Sequence, residues 1–230
     1  MEGVKNIYDR TYKEYGKNLP NIWLWPNELE NFYLKNIIKK IKPRFILDAG
    51  CGVGLKLINL RDYNVFGFDY SFEGLRICKI DGFKVFQASV HKIPIKDETF
   101  DFIFSFQVIQ HLLDWDYIKM AFMEISRILK KGGYFLSTNY RLYGKINKRY
   151  FPVIENGNIL HRWAFTIEDY EKLSKESNLE LVKVGTILNI KPRGIGRFSF
   201  LKPIYKFIDY QLFNFGYSKG KYLVGLFKKV

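Results

Sequence analysis

The chain has 230 residues, 47% apolar and 26% charged, with 18% aromatic residues and a formal charge of +14. That length supports one well-buried core with room for a cap or small lid, and the composition is that of a globular chain. Its two cysteines, Cys51 and Cys78, exclude a disulfide scaffold and provide no zinc spacing, so no metal site is expected. No basic region followed by an apolar stretch opens the sequence, so no signal peptide is expected. The most apolar run, Phe102 to Leu113, is interrupted by Gln107, Gln110 and His111 and is too short to span a bilayer. A cytoplasmic location is the natural expectation.

Near the start, Tyr8, Tyr12 and Tyr15 fall at i, i+4 and i+7, one face of a helix. Pro20 and Pro26 bracket an aromatic turn holding Trp23 and Trp25, and Asn27 caps the next helix with Glu30 at the reciprocal position. Leu29, Phe32, Tyr33, Ile37 and Ile41 form the buried stripe of that helix, which Pro43 terminates. The apolar run Phe45-Ile46-Leu47 then reads as a buried strand ending on Asp48. Gly50, Gly52 and Gly54 make a tight turn, and Leu57, Ile58 and Leu60 recur at helical spacing after it. Val65–Asp69 is a second strand, and Asp69 lies 19 positions beyond Gly50, the spacing at which a carboxylate receives ribose hydroxyls. Ser71 caps a helix over Phe72–Ile80.

A third strand follows at Phe83–Phe86 and a fourth at Thr99–Ser105. The helix Trp115–Leu129 buries Ile118, Phe122, Ile125, Ile128 and Leu129, then ends at the Lys130-Lys131-Gly132-Gly133 turn before a fifth strand, Tyr134–Thr138. Residues 140–165 are aromatic, basic (net +4) and aperiodic, and they leave the carboxyl end of the sheet, where ligands bind. Thr166 caps a helix with Asp169 three positions on, and Leu179–Val184 is a sixth strand. Residues 186–221 carry net +6, with Ile204, Phe207, Ile208, Leu212 and Phe215 on one helical face after Pro203. This insert reads as a core-packed lid, a homodimer face or a helix lying on an anionic membrane. Tyr222–Phe227 makes the last strand.

The run Asp48-Ala49-Gly50-Cys51-Gly52-Val53-Gly54 resembles motif I of the class I S-adenosylmethionine-dependent methyltransferases, of a small-molecule, type 11-like kind. Asp69, the stretch Ser105 to Leu112 and the Lys-Lys-Gly-Gly turn continue the pattern in order over residues 44–185. The resemblance implies a doubly wound, Rossmann-like α/β sheet of seven strands, the last antiparallel, with helices on both faces. It implies a single domain over 1–230, with an N-terminal helical cap (1–43) and substrate-side inserts (140–165 and 186–221). The implied cofactor is S-adenosylmethionine, leaving as S-adenosylhomocysteine, contacted by Asp48, Ala49, Gly50, Cys51, Gly52, Gly54, Asp69, Tyr70, Ser89, Val90, Ser105, Phe106 and Gln110. Ser89 stands where the family usually has an aspartate, and Lys131 where it has a proline.

The implied activity is methyl transfer to O, N or C of a small acceptor. The two basic segments favour an anionic or membrane-presented one. His111 is the candidate general base, because its free pKa lies near neutrality, and a purely structural hydrogen-bonding role is the alternative. Arg162 and Tyr140 are the candidate substrate contacts; Arg162 suits a two-pronged grip on an anion. Methylation of RNA, or a non-catalytic cofactor-binding scaffold of the same fold, are the competing readings.

Overall fold

The computed structural model describes residues 2–18, 21–143, 148–155, 157–189, 199–216 and 219–230; the side chains of 21–24, 155 and 199 lie outside that description. Two helices lead, α1 (Glu2–Tyr15) and α2 (Asn21–Ile41), and a β/α alternation follows them. It runs β1 (Phe45–Ala49), β2 (Asn64–Asp69), α3 (Phe72–Ile80), β3 (Lys84–Gln87), β4 (Phe100–Phe106), α4 (Trp115–Ile128) and β5 (Leu129–Arg141). The remainder is β6 (Val153–Glu155), β7 (Asn158–Leu160), β8 (Ala164–Phe165), α5 (Ile167–Glu176), β9 (Leu179–Ile187), α6 (Lys202–Asn214) and β10 (Tyr222–Lys229).

The main sheet has the order β3-β2-β1-β4-β5-β10-β9, with the two-residue β8 added alongside the end of β5. The pairs β3–β2, β2–β1, β1–β4 and β4–β5 are parallel, and β10 runs antiparallel to both its neighbours. The expected doubly wound sheet with an antiparallel last strand is therefore present, with β8 as an eighth strand.

Alternation along the central strands divides the core in two. Leu47 of β1 and Ile103 of β4 enter the layer under α4 and α5, with Ile118, Phe122, Tyr170 and Leu173. Ile46, Phe102 and Phe104 enter the opposite layer, with Tyr33 and Leu34 of α2, Leu75 of α3 and Phe213 of α6. Helices thus cover both faces, as a mostly parallel sheet requires.

Several local expectations are corrected. After the glycines there is only a four-residue 3-10 turn, Leu57–Leu60, before β2 begins at Asn64. Trp25 and Asn27 belong to α2 instead of a turn and a cap; Pro26 sits in the second turn, where it removes only the one bond to the Ile22 carbonyl. The Lys-Lys-Gly-Gly segment is part of β5, taken up as an irregularity opposite Phe100 and Phe102. Residues 140–165 contain the β6–β7 hairpin, and Trp23's side chain, Pro20, Lys145, Lys191, Arg193 and Arg197 lie outside the described residues.

In α6 one of three readings is removed. Its buried residues are Asp209, Tyr210 and Phe213, and the apolar stripe with Ile204, Phe207, Ile208 and then Phe215 is exposed, which excludes the core-packed lid and leaves a dimer face or a membrane-lying helix. Asp209 is held inside because the Tyr33 hydroxyl donates to its Oδ1 (2.8 Å) and the Asn189 N–H to its Oδ2 (2.9 Å). Tyr33 also packs edge-on against Tyr210, with ring centroids 5.0 Å apart. A buried carboxylate with partners thus outweighs the burial of an apolar stripe. Among the described residues no helix is long and apolar enough to cross a membrane.

Candidate active site

The carboxyl ends of β1, β2 and β4 open into a cleft of two lobes that share Tyr8, Tyr12, Gly50, Phe106, Gln107 and His111. The first lobe extends to Asp69, Tyr70, Ser89 and Val90. The second extends to Asp48, Glu30, Lys56, Gln110, Tyr140 and Arg162.

The turn after β1 is tied to β2, because the Gly50 and Cys51 N–H groups both donate to the Phe68 carbonyl, at 2.9 Å each. Gly50 has φ +99°, and a Cβ there would lie 2.2 Å from Val108 Cγ2. Gly52 has φ +52°, and its Cβ would lie 2.6 Å from the Tyr12 hydroxyl. Only glycine fits either position without strain. Tyr12 of α1 therefore rests directly on the loop, and α1 is fixed there through Asp9, whose carboxylate accepts the Glu73 N–H (3.1 Å) at the start of α3.

Asp69 ends β2 and accepts the Gly52 N–H at Oδ2 and the Ser71 N–H at Oδ1, both at 2.8 Å. Burial raises its pKa, and those backbone donors oppose the rise. Asp48 is the last residue but one of β1, 2% exposed, and its buried Oδ2 has no hydrogen-bond partner among the described residues. Burial holds its pKa well above the usual carboxylate range; Lys56 acts against this, and Asp69 and Glu30 add to it. An unpaired buried carboxylate oxygen is costly, and a ligand's N–H donor would satisfy it.

A hydrogen-bonded relay of fixed polarity crosses the second lobe. The Tyr140 backbone N–H donates to Gln110 Oε1 (2.6 Å), which sets that amide's orientation. Gln110 Nε2 then donates to Gln107 Oε1 (3.1 Å) and lies 3.1 Å from His111 Nε2. Gln107 Nε2 donates to Glu30 Oε1 (3.0 Å), and Lys56 Nζ donates to Glu30 Oε2 (2.9 Å). Lys56 also donates to the Asn27 side chain.

The same logic fixes the tautomer of His111. Its Nδ1 lies 2.7 Å from the His161 carbonyl, which can only accept, so Nδ1 carries the proton. Nε2 is then the acceptor for Gln110. Burial pushes the His111 pKa down to about 4; the Arg162 and His161 charges add to this and the bond to the His161 carbonyl opposes it.

Of the residues expected at the site, Asp48, Gly50, Cys51, Gly52, Asp69, Tyr70, Ser89, Val90, Phe106, Gln110, His111, Tyr140 and Arg162 line the two lobes. Ala49, Gly54 and Ser105 do not. The Ser105 hydroxyl donates to the Ala49 carbonyl (2.9 Å), and Gly54 faces Cys78 and Phe83. Glu30, Lys56, Gln107 and Tyr12 line the cleft without having been named as site residues from the sequence. Glu30 had one visible signal: it shares the i, i+3, i+4, i+7 stripe with Tyr33, Leu34 and Ile37, a charge on a buried face.

Residues 47–137 match a family model described as a methyltransferase domain. An uncharacterized Methanocaldococcus jannaschii protein, MJ1252, is 35% identical over 146 residues, covering 61% of this chain and 53% of that protein. The chain thus spans about half the length of that relative. A second protein from the same organism, MJ0638, also uncharacterized, is 27% identical over 235 residues and 97% of each chain. Among solved structures, a Thermotoga maritima protein described as an SAM-dependent methyltransferase, possible histamine N-methyltransferase, superposes with TM-score 0.65 at 20% identity, over 99% of this chain and 100% of that one. At that identity the likeness speaks for the fold.

Proposed function

We propose that this chain, whose residues 47–137 match a methyltransferase-domain model, transfers the methyl group of S-adenosylmethionine to a small anionic acceptor bound in the second lobe. The residues present suit the cofactor. Gly50 and Gly52 keep the loop free of side chains, and the Asp69 carboxylate accepts from a vicinal diol with the lone pairs its backbone donors leave. The orphaned Asp48 oxygen is placed for the donor of an α-ammonium. Bound S-adenosylmethionine supplies a methyl already activated on a sulfonium, so alignment and exclusion of water account for much of the acceleration.

The chain's own residues then have these roles. Gln107 and Phe106, common to both lobes, line the junction at which donor and acceptor meet. Tyr8 and Tyr12 cover the loop and exclude water. His111 acts as a positioning residue: its basic nitrogen already accepts from Gln110, and service as a general base would require that amide to yield. Residues 1–43 serve as the cap and residues 140–165 and 186–221 bound the acceptor side, within one cytoplasmic domain.

The observation that carries the anionic acceptor is Arg162. It lines the second lobe, and its buried Nε–H has no hydrogen-bond partner among the described residues. Its guanidinium carbon lies 6.0 Å from the Tyr140 ring centroid, within reach of a cation–π contact. The test combines calorimetry with turnover. S-adenosylhomocysteine should bind the wild type and Arg162→Ala alike and be lost in Asp69→Ala. Across a panel of small carboxylic and phosphoric acids, Arg162→Ala should raise KM at least about tenfold. Absence of binding of either form of the cofactor would overturn the reading.

RNA methylation is the second reading, favoured by the net +4 and +6 of the two acceptor-side segments. A gel shift with a steep salt slope would place it first.

A further inference from the structure

The described exposed residues of α6 are Pro203, Ile204, Phe207 and Ile208, all of them apolar. Ile204 and Phe207 are each 55% exposed and Ile208 41%, and Phe215 continues the stripe just beyond the helix end at 85%. The opposite face is already committed to the core through Tyr210 and Phe213. A helix apolar on both sides is ordinarily covered on both sides, so this ridge has the character of a contact surface.

The helix beside it supplies the charge. The exposed residues of α2 with described side chains are Lys35, Lys39 and Lys40. Lys40 Nζ lies 5.7 Å from the Tyr210 ring centroid, and Lys183 Nζ of β9 lies 5.0 Å from that of Phe213, so two cations lie against the inner rings of the same helix. An apolar stripe beside lysines matches the chemistry of a helix that lies in the plane of an anionic lipid surface. A second copy of the chain fits less well, because a two-fold contact would set this cationic rim against itself in a chain of formal charge +14.

We propose that the exposed face of α6, with the lysines of α2 beside it, docks this protein on an anionic lipid bilayer. The geometry links that surface to the cleft. Lys202 and Lys206 of α6 each hold Glu28 at 2.8 Å, and Glu28 directly follows Asn27, which lines the second lobe. Docking would therefore engage a helix that is tied, through Glu28, to a wall of the second lobe. The surface itself stands on exposure and charge and does not depend on the methyltransferase reading.

The test is co-sedimentation of the whole chain with phosphatidylcholine vesicles, with and without about 30% phosphatidylglycerol. Binding should require the anionic lipid and weaken with salt. Ile204→Ser with Phe207→Ser should lower the partition coefficient at least about tenfold, with thermal midpoint and S-adenosylhomocysteine affinity unchanged. Lys39→Glu with Lys40→Glu should weaken binding and flatten its salt dependence. Failure of the wild type to bind anionic vesicles at low salt would overturn the proposal, as would full binding by the Ser double variant. So would light scattering that shows a dimer which the Ser variant dissociates, without vesicle binding.

Discussion

His111 offers the sharpest quantitative test, because its environment fixes both its tautomer and the sign of its pH effect. Its pKa falls from 6.5 to about 4 on burial, so between those values the unfolded chain binds a proton that the folded chain refuses. Stability therefore rises with pH across that window; it is fully present above about pH 6.5 and lost as the pH falls toward 4. At about 1.4 kcal/mol per pH unit, the loss amounts to about 3 kcal/mol. The perturbation is His111→Gln, which keeps an amide donor for the His161 carbonyl and does not titrate. Urea unfolding of both proteins at a series of pH values gives the stability difference, in which carboxylates such as Glu28, Asp101 and Glu124, whose pKa values are lowered, cancel. The wild type should lose its lead over the variant by about 3 kcal/mol on acidification. Parallel curves, or an imidazole titrating near 6.5 by NMR, would refute the buried, Nδ1-protonated arrangement.

The Glu30–Lys56 pair is about 90% or more shielded, with side chains 5% and 10% exposed, so Glu30→Leu should cost about 3–5 kcal/mol by stranding the ammonium. The double variant Glu30→Leu/Lys56→Met should recover most of that loss in the same urea titration. Gly50→Ala should lose S-adenosylhomocysteine affinity and at least about 1–3 kcal/mol of stability, since it combines positive φ with the 2.2 Å approach to Val108; Val108→Ala in the same chain should relieve the contact and leave the backbone strain. Tyr33→Phe leaves Asp209 short of a donor and should cost about 1–3 kcal/mol, with cofactor affinity unchanged in calorimetry.

Where the determinants are local, the sequence was legible. The strand β1, the glycine turn and Asp69 could be read because strand alternation, the conformational demands of the turn and the strand-end carboxylate all lie within about 20 residues of one another. Ser71 and Thr166 were readable as caps for the same reason, and both accept the expected backbone N–H. Pairings across the chain were not. Glu30 meets Lys56 at a separation of 26 residues and Gln107 at 77, and nothing in the local pattern of either segment announces the other. Which face of α6 is covered stayed open for a different reason. Both of its faces carry large apolar residues, so periodicity offered two stripes, and the choice was made by Asp209, a residue that local reasoning assigns to solvent. The helix expected after the glycines could not be told from a 3-10 turn, since apolar spacing at Leu57, Ile58 and Leu60 is the same for either.

The division of labour in the cleft follows the same line. Asp48, Gly50, Gly52, Asp69, Ser89, Phe106 and His111 all lie within residues 47–137, the segment that matches the methyltransferase-domain model. Tyr8, Tyr12, Asn27 and Glu30 come from before it, and Tyr140, Arg162 and Tyr222 from after it. These flanking residues make much of the second lobe, so on the proposed function specificity for the acceptor is expected to come from α1, α2 and the segments after β5. Proteins that share only the central segment can share the donor side without sharing the acceptor. MJ0638 aligns over 97% of both chains and so extends across the flanking segments as well. Its sequence is therefore the informative comparison: residues equivalent to Glu30 and Gln107 there would mark the relay, and one equivalent to Arg162 the buried guanidinium, as common devices, and their replacement would mark them as particular to this chain.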